Sequence, residues 1–139
     1  MAKNYNGVQI NQSVTIAEKM GEAVADVRNL ILKYDTDGNA VLATAGTDVP
    51  IGITLIESGA NDVTGVESGK VAVGDDIEIQ IKDIGYVIAG EAIAKGDVVT
   101  AGAGGKAAKA SSGDYALGVA LGAAAADGYL RVQICKFKA

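Results

Sequence analysis

The residues that could perform chemistry are few in this 139-residue chain, and the most versatile of them is absent. The sequence has no histidine, which excludes Ser-His-Asp and Cys-His catalysis, imidazole proton relays and metal sites with a histidine ligand. The single cysteine, Cys135, can form neither an intramolecular disulfide nor a cysteine-rich metal cluster. Because Cys135 ends a strand-like run that begins at Leu130, we expect a buried, unreactive thiol.

Two groups of carboxylates could hold a cation or share a proton. The segment Asp35–Asn39 is similar to the start of a calcium loop, but its glycine falls too early for that register, and no flanking helix is credible. A hairpin turn is the better interpretation. Asp75 and Asp76 are adjacent, and neighbouring strand residues point to opposite faces, so the two carboxylates cannot share a proton within a strand. We therefore expect no catalytic, cofactor-binding or metal site, and predict that the chain is not an enzyme.

Two lysine-containing segments are similar to cofactor-related motifs. Ala94–Val99 resembles the Gly-Asp-Val turn of biotinyl and lipoyl carrier domains, but no lysine here stands at the tip of a hairpin between acidic or Met residues. The glycine-rich segment Ala101–Ala107 contains Lys106 but lacks the spacing of a phosphate-binding P-loop. A flexible hairpin loop is expected there, and a small carrier or ligand-binding barrel stays a minor alternative.

Composition and charge narrow the class of protein. Glycine occurs 19 times, tryptophan is absent and phenylalanine occurs once, so the core must consist of Val, Ile, Leu and Ala. The net charge of −5 argues against a nucleic-acid-binding protein. Residues 35–91 hold eleven acidic residues and two lysines, whereas residues 92–139 hold three acidic and six basic ones. No apolar leader or membrane-length apolar run is present, so we expect no membrane partner.

The apolar pattern is that of β-strands almost throughout. Val8, Ile10, Val14 and Ile16 alternate with polar residues in an N-terminal arm. Further β-rich runs, separated by turn pairs such as Asn-Gly and Asp-Gly, are Leu30–Tyr34, Ala40–Thr44, Ile51–Ile56, Asp76–Ile81, Gly85–Ile88, Asp97–Thr100, Ala116–Leu121 and Tyr129–Cys135. Short strands at this spacing predict an all-β fold, a small β-barrel or a sandwich.

The sequence also repeats itself. Segments recur in the same order, Glu22–Ala25 as Glu91–Ala94, Asp48–Leu55 as Asp114–Leu121, and Ile77–Ile81 as Leu130–Ile134. We interpret them as two degenerate β repeats, at about 22–82 and 91–136, in a single β domain of residues 21–139 that follows an extended arm of residues 1–20. Chance similarity between Val- and Gly-rich strands is the alternative. Gly52 and Gly118 are equivalent mid-strand positions, where glycine permits sharp coiling or close backbone approach.

The order of these motifs resembles the capsid cement or head decoration proteins of tailed phages. The segments that carry the resemblance are Gly74–Ile79, Ala89–Val99, Gly104–Lys106, Ala116–Leu121 and Gly128–Ile134. The resemblance is strongest over residues 70–135 and looser over Ala2–Ile16 and Val24–Leu55. The acidic stretch Glu57–Gly69 departs from the family pattern, which puts any contact there in doubt.

The resemblance implies a non-enzymatic, structural virion protein without cofactors. Such a protein is made in the host cytoplasm, binds the outer surface of a bacteriophage capsid and stabilises it by clamping neighbouring major capsid subunits, often as a homotrimer. Its partners would be the major capsid protein and other copies of itself. Another virion β module, a tail or fibre component, is the alternative.

The N-terminal arm is the expected point of contact with the capsid. Its alternation and the lack of an obvious hairpin partner suggest that it adds an extended segment to a neighbouring sheet edge. The candidate contact residues are Asn4, Tyr5, Val8, Ile10, Val14 and Ile16. Pairing of the arm within its own barrel is the alternative.

Overall fold

Short alternating apolar runs separated by glycine turns form ten strands in the described part of the chain. The computed structural model describes residues 14–61 and 63–139. The strands are β1 (Thr15–Lys19), β2 (Ile31–Tyr34), β3 (Ala40–Leu42), β4 (Gly52–Thr54), β5 (Asp76–Gln80), β6 (Asp83–Ile88), β7 (Val98–Ala101), β8 (Ala107–Lys109), β9 (Tyr115–Ala120) and β10 (Tyr129–Lys138). Within the described ranges the helical content is a 3₁₀ turn at Ala103–Gly105, and no helix there is long and apolar enough to cross a membrane.

The strands form two antiparallel five-stranded sheets. The first sheet has the order β1-β5-β4-β2-β3 and the second the order β6-β10-β9-β7-β8. Single bridges, Met20 to Ala40 and Ala89 to Ala107, link the outer strands of each sheet without a continuous ladder. The sheets are therefore not closed into a barrel. The all-β prediction is confirmed, and the architecture is sandwich-like.

The predicted runs each contain or overlap a strand, with one strand missed. Residues Ala107–Lys109 form β8 although alanine and lysine are poor strand formers. Antiparallel pairing with β7 holds them in place. Thr15–Lys19, the described end of the predicted arm, pair with β5 of the same chain.

The two sheets share one topology. Subtracting five from each strand number of the second sheet gives the order of the first. The isolated antiparallel bridges Val24–Val71 and Ile93–Ala124 hold equivalent places. Glu22 accepts a hydrogen bond from the Leu42 N–H at 2.8 Å, and Glu91 accepts one from the Lys109 N–H at 3.2 Å. Descent of the halves from one duplicated unit stays a prediction.

Glycine at the two equivalent mid-strand positions is required by the spacing of neighbouring strands. A Cβ atom on Gly52 would lie 2.0 Å from the Gln80 carbonyl oxygen, and one on Gly118 would lie 1.9 Å from the Gln133 carbonyl oxygen. Both distances are far below van der Waals contact. The predicted close approach of backbones at these glycines is confirmed.

Two apolar clusters form the core, and one of them crosses between the sheets. The first cluster contains Met20, Leu32, Ile77 and Ile79 and lies within the first half of the chain. The second cluster is built mainly from β6 to β10. Its members from the first half are Ile31, Ala43 and Ile53. The first sheet is therefore buried on both faces, and its second face supports the other half of the molecule.

Candidate interaction surfaces

The residues singled out for chemistry are used structurally. Within the described ranges, no group of three or more His, Cys, Asp or Glu side chains could hold a metal ion. The Asp35 carboxylate accepts hydrogen bonds from the Asp37 and Asn39 N–H groups, both at 2.9 Å, and closes the predicted hairpin between β2 and β3. Asp75 accepts the Ala72 N–H at 2.8 Å. Asp76 instead pairs with Lys19 at 2.8 Å, so the adjacent carboxylates have separate partners.

The prediction of a buried cysteine is wrong. Cys135 is exposed. Leu130, Val132 and Ile134 point into the core, and successive residues of a strand alternate between faces, so Cys135 must point outward. The apolar character of the run predicted a strand correctly, but the alternation within it decides which side chains are buried.

A polar junction joins the two sheets at β6. Asn29, which is 5% exposed and has φ of 56°, donates from Nδ2 to the Tyr86 carbonyl at 3.0 Å, and its backbone carbonyl accepts the Ile88 N–H at 3.0 Å. Gln80, 7% exposed, donates from Nε2 to the Ile84 carbonyl at 2.9 Å. Two carboxamides of the first half therefore bind the outer edge of β6, in place of a neighbouring strand.

Sequence reasoning missed both carboxamides. Asn29 precedes an apolar run and can take positive φ without glycine, which is a signal for a turn. Gln80 alternates with Ile79 and Ile81 and reads as a solvent-facing strand residue. Its burial depends on the second sheet, which local alternation does not reveal.

A concave surface, the tyrosine groove, lies above this junction. It has a volume of about 390 Å³ and is lined by Asn29, Thr54, Leu55, Ile56, Glu57, Gln80, Tyr86 and Tyr129. Ile56, Tyr86 and Tyr129 are each more than half exposed, at 55%, 52% and 57%. The Oδ1 atom of Asn29 is buried without a hydrogen-bond partner. Tyrosines beside an open apolar groove are typical of protein interaction sites.

A second groove, the arm-end groove, lies where the described chain begins. It has a volume of about 570 Å³ and is lined by Ile16, Lys33, Tyr34, Thr47, Asp48, Val49, Pro50, Ile51, Ile81 and Lys136. Val14 accepts the Ile81 N–H at 3.1 Å and is 41% exposed. Ile16 is half-buried against the first core cluster. Asn4, Tyr5, Val8 and Ile10 lie outside the described residues.

Charged groups border the arm-end groove on two sides. Burial opposes ionisation of Asp48, but hydrogen bonds from Lys33 and from the Thr44 and Ala45 N–H groups outweigh it and hold the pKa of this carboxyl below its ordinary value. The hydroxyl of Tyr34 donates to Glu18, and this hydrogen bond is the main cause of its raised pKa. Both interactions fix side chains at the rim of the groove.

The outer face of the second sheet is a further open surface. Ile84, Gln133, Val119 and Val98 form one row across β6, β10, β9 and β7, as the strand registers place them opposite one another. Gln133 is exposed, whereas Val119 and Val98 are half-buried. No described segment of the chain forms a strand over this face.

Comparisons with known proteins identify a related fold. No family model matches the chain, and no curated protein matches it. The chain is similar to the crystal structure of the head fiber gp8.5 N base in bacteriophage phi29, with a TM-score of 0.62 and 20% sequence identity. The match covers 92% of this chain and 98% of that chain, so the likeness extends over nearly the full length of both.

Proposed function

We propose that this chain is a structural protein of a phage virion that attaches to the outer surface of the capsid and clamps neighbouring major capsid subunits. The observation that carries the proposal is the likeness over 92% of the chain to the base of a phage head fiber. Sequence motifs in a consistent order independently resemble capsid decoration proteins. A fold alone does not fix a function, but both likenesses are to proteins of the phage head.

The surfaces of the molecule suit a binding protein. Two open grooves and one open sheet face carry apolar, tyrosine and lysine side chains that a partner could contact. Contacts of many copies with adjoining capsid subunits would add up by multivalency, and a ligand that binds only the assembled shell stabilises it. The arm residues Asn4, Tyr5, Val8, Ile10, Val14 and Ile16 are the proposed capsid contacts, and a homotrimer is the proposed assembly.

A second candidate is the base of a head fibre, favoured by the description of the matched structure. A fibre base must anchor an appendage to the head and need not bridge capsid subunits. Thermal stability of the shell separates the two roles. A clamp raises the temperature at which capsids open, whereas a fibre base binds and leaves that temperature unchanged.

The test is binding of the purified chain to expanded capsids of its phage, measured by co-sedimentation and followed by thermal opening of the shells. We expect saturable binding by the full chain and loss of binding when residues 2–12 are deleted. Replacing Val8 and Ile10 with serine should weaken binding, because alternate apolar side chains give specificity to an added strand. Replacing the intervening Gln9 and Asn11 with serine is the matched control.

The outcomes separate the parts of the proposal. Absence of binding by the full chain would overturn the capsid-binding function. Full binding by the deletion variant would show that the arm is not the contact, while leaving the function in place. Binding without a rise in opening temperature would favour the fibre base.

A further inference from the structure

The shared topology of the two halves reveals surfaces that are occupied in one half and open in the other. The registers establish the correspondence. Thr15, Gln80, Ile53 and Ile31 form one row across the first sheet, and Ile84, Gln133, Val119 and Val98 form the equivalent row across the second. Gly52 and Gly118 press against the carbonyls of Gln80 and Gln133 and fix the same alignment.

In the first half, Gln80, Ile53 and Ile31 of this row form a buried interface. Ile31 is 0% and Ile53 is 1% exposed, because the second half packs over them. Gln80 binds the edge of β6 through its hydrogen bond to the Ile84 carbonyl at 2.9 Å. A Cβ atom on Gly85 would lie 3.1 Å from Cδ1 of Ile53, so this isoleucine reaches into the open end of the second half's core.

The equivalent face of the second half is open. Val98 and Val119 are half-buried, and Gln133, the counterpart of Gln80, is exposed. Ala43 is fully buried, whereas Ala110, which forms the equivalent backbone hydrogen bond to its neighbouring strand, is half-buried. Each half therefore has this docking face, but only the face of the first sheet is covered within the molecule.

The complementary surface also exists twice. The counterpart of β6 is β1, whose residues Thr15, Ala17 and Lys19 direct their backbone groups away from β5. No hydrogen bond from the described part of the chain reaches these backbone groups. Ile16, the counterpart of Gly85, lines the arm-end groove, which is the open end of the first half's core.

We propose that a second copy of this chain docks head to tail, with the outer face of its second sheet against β1 and the arm-end groove of the first copy. Gln133 of one copy takes the role of Gln80 and donates to the Thr15 carbonyl of the next. Val119 takes the role of Ile53 and enters the arm-end groove. This contact between two molecules repeats the interface that joins the two halves within one molecule.

Charge favours this orientation over its alternatives. Residues 1–82, which contain β1 to β5, carry twelve acidic and six basic residues, a net −6, and residues 83–139, which contain β6 to β10, carry five acidic and six basic residues, a net +1. Head-to-tail docking brings the acidic half of one copy to the basic half of the next, whereas symmetric docking brings like charges together. A head-to-tail contact repeats until the assembly closes into a ring, or it extends as a filament.

The first test is sedimentation velocity of the full chain over a wide concentration range, with Gln133→Glu as the variant. Gln133 is exposed, so the change leaves the fold intact and places a carboxylate against the Thr15 carbonyl. We expect self-association to weaken by about tenfold or more, since an unpaired polar group is left at the contact. Asn61→Asp, the same chemical change at an exposed residue outside the contact, should leave it unchanged.

The second test fixes the orientation by cross-linking. In a Cys135→Ser background, Ile16→Cys and Val119→Cys are combined and treated with a short bismaleimide. We expect cross-linked dimers and higher species from the double variant, and from a mixture of the two single variants a dimer only. A chain that stays monomeric at every concentration, equal association of the Gln133→Glu and Asn61→Asp variants, or cross-linking by Val119→Cys alone would each overturn the proposal.

Discussion

At the scale of single residues, aspartates close the turns of this protein. Each accepts the backbone N–H of the residue three positions earlier, a pattern shared by Asp48, Asp75, Asp97 and Asp114 with Ala45, Ala72, Ala94 and Ser111. Asp48 is the most enclosed of those in ion pairs, with a side chain 16% exposed, and it also accepts the Lys33 ammonium at 2.8 Å. Ionisation of the carboxylate strengthens these hydrogen bonds.

Asp48→Asn should lower the free energy of unfolding at neutral pH and lower it by less in acid. The pKa of the Asp48 carboxyl in the folded protein lies below its ordinary value. Its contribution to the free energy of unfolding is therefore present above the pKa of the unfolded chain and is lost as the pH falls through the pKa of the folded protein. We expect a loss of about 1–2 kcal/mol at pH 7, measured by urea unfolding, that shrinks as the pH falls below about 5. The exposed Asp37→Asn is the control, and an equal effect of Asp48→Asn at pH 7 and pH 3 would contradict this account.

At the scale of strands, two glycines set how closely neighbouring backbones approach. Gly118 lies in β9 where the partner strand β10 has a register irregularity between Ile134 and Phe137. The carbonyl of Gln133 occupies the volume that any Cβ at this position would need. Backbone cannot move aside as a flexible side chain can, so larger residues must separate the strands.

Gly118→Ala should destabilise the protein by about 3 kcal/mol, the upper end of the range for overpacked sites, because the strands must part. Gly122→Ala, four residues along the chain, is the matched control, since nothing lies within 4 Å of its Cβ position. Chemical denaturation of both variants measures the difference. Equal stabilities of the two would contradict the need for glycine in β9.

The strands illustrate how far local sequence patterns reach. Alternation located the strands and their turns because both follow from neighbouring residues. It could also have placed Cys135 outside, since Ile134 is inside. The burial of Asn29 and Gln80 was beyond its reach, because it depends on the packing of one half against the other. The tyrosine groove forms at that same junction, so sequence alone could not locate it.

At the scale of the whole molecule, the two halves are interlocked rather than merely adjacent. The second half's core is completed by side chains that project from the first half, those of Ile31, Ala43 and Ile53. Thr54 supports this face from below, where its hydroxyl donates to the Val27 carbonyl and accepts the Leu30 N–H at 2.9 Å. A substitution that destabilises one half should therefore also destabilise the other.

Ile53→Ala tests the interlock. We expect a loss of about 2–5 kcal/mol, as for other large-to-small core changes, with one unfolding transition in which tyrosine fluorescence and far-UV circular dichroism coincide. Ile56→Ala, at a side chain 55% exposed, should change stability by less than about 1 kcal/mol. Two separate transitions in the unmodified chain would show that the halves fold independently.

The covered sheet edges affect whether copies of this protein aggregate when they are packed densely on a surface. Glu22 and Glu91 occupy backbone donors of β3 and β8, and the carboxamides of Asn29 and Gln80 occupy β6. Unpaired edges are templates for indiscriminate stacking into fibrils. Side chains that occupy edge groups in this way let copies of a protein be displayed at high local density on a surface and still resist amyloid-like aggregation, because the occupied groups cannot template a further strand.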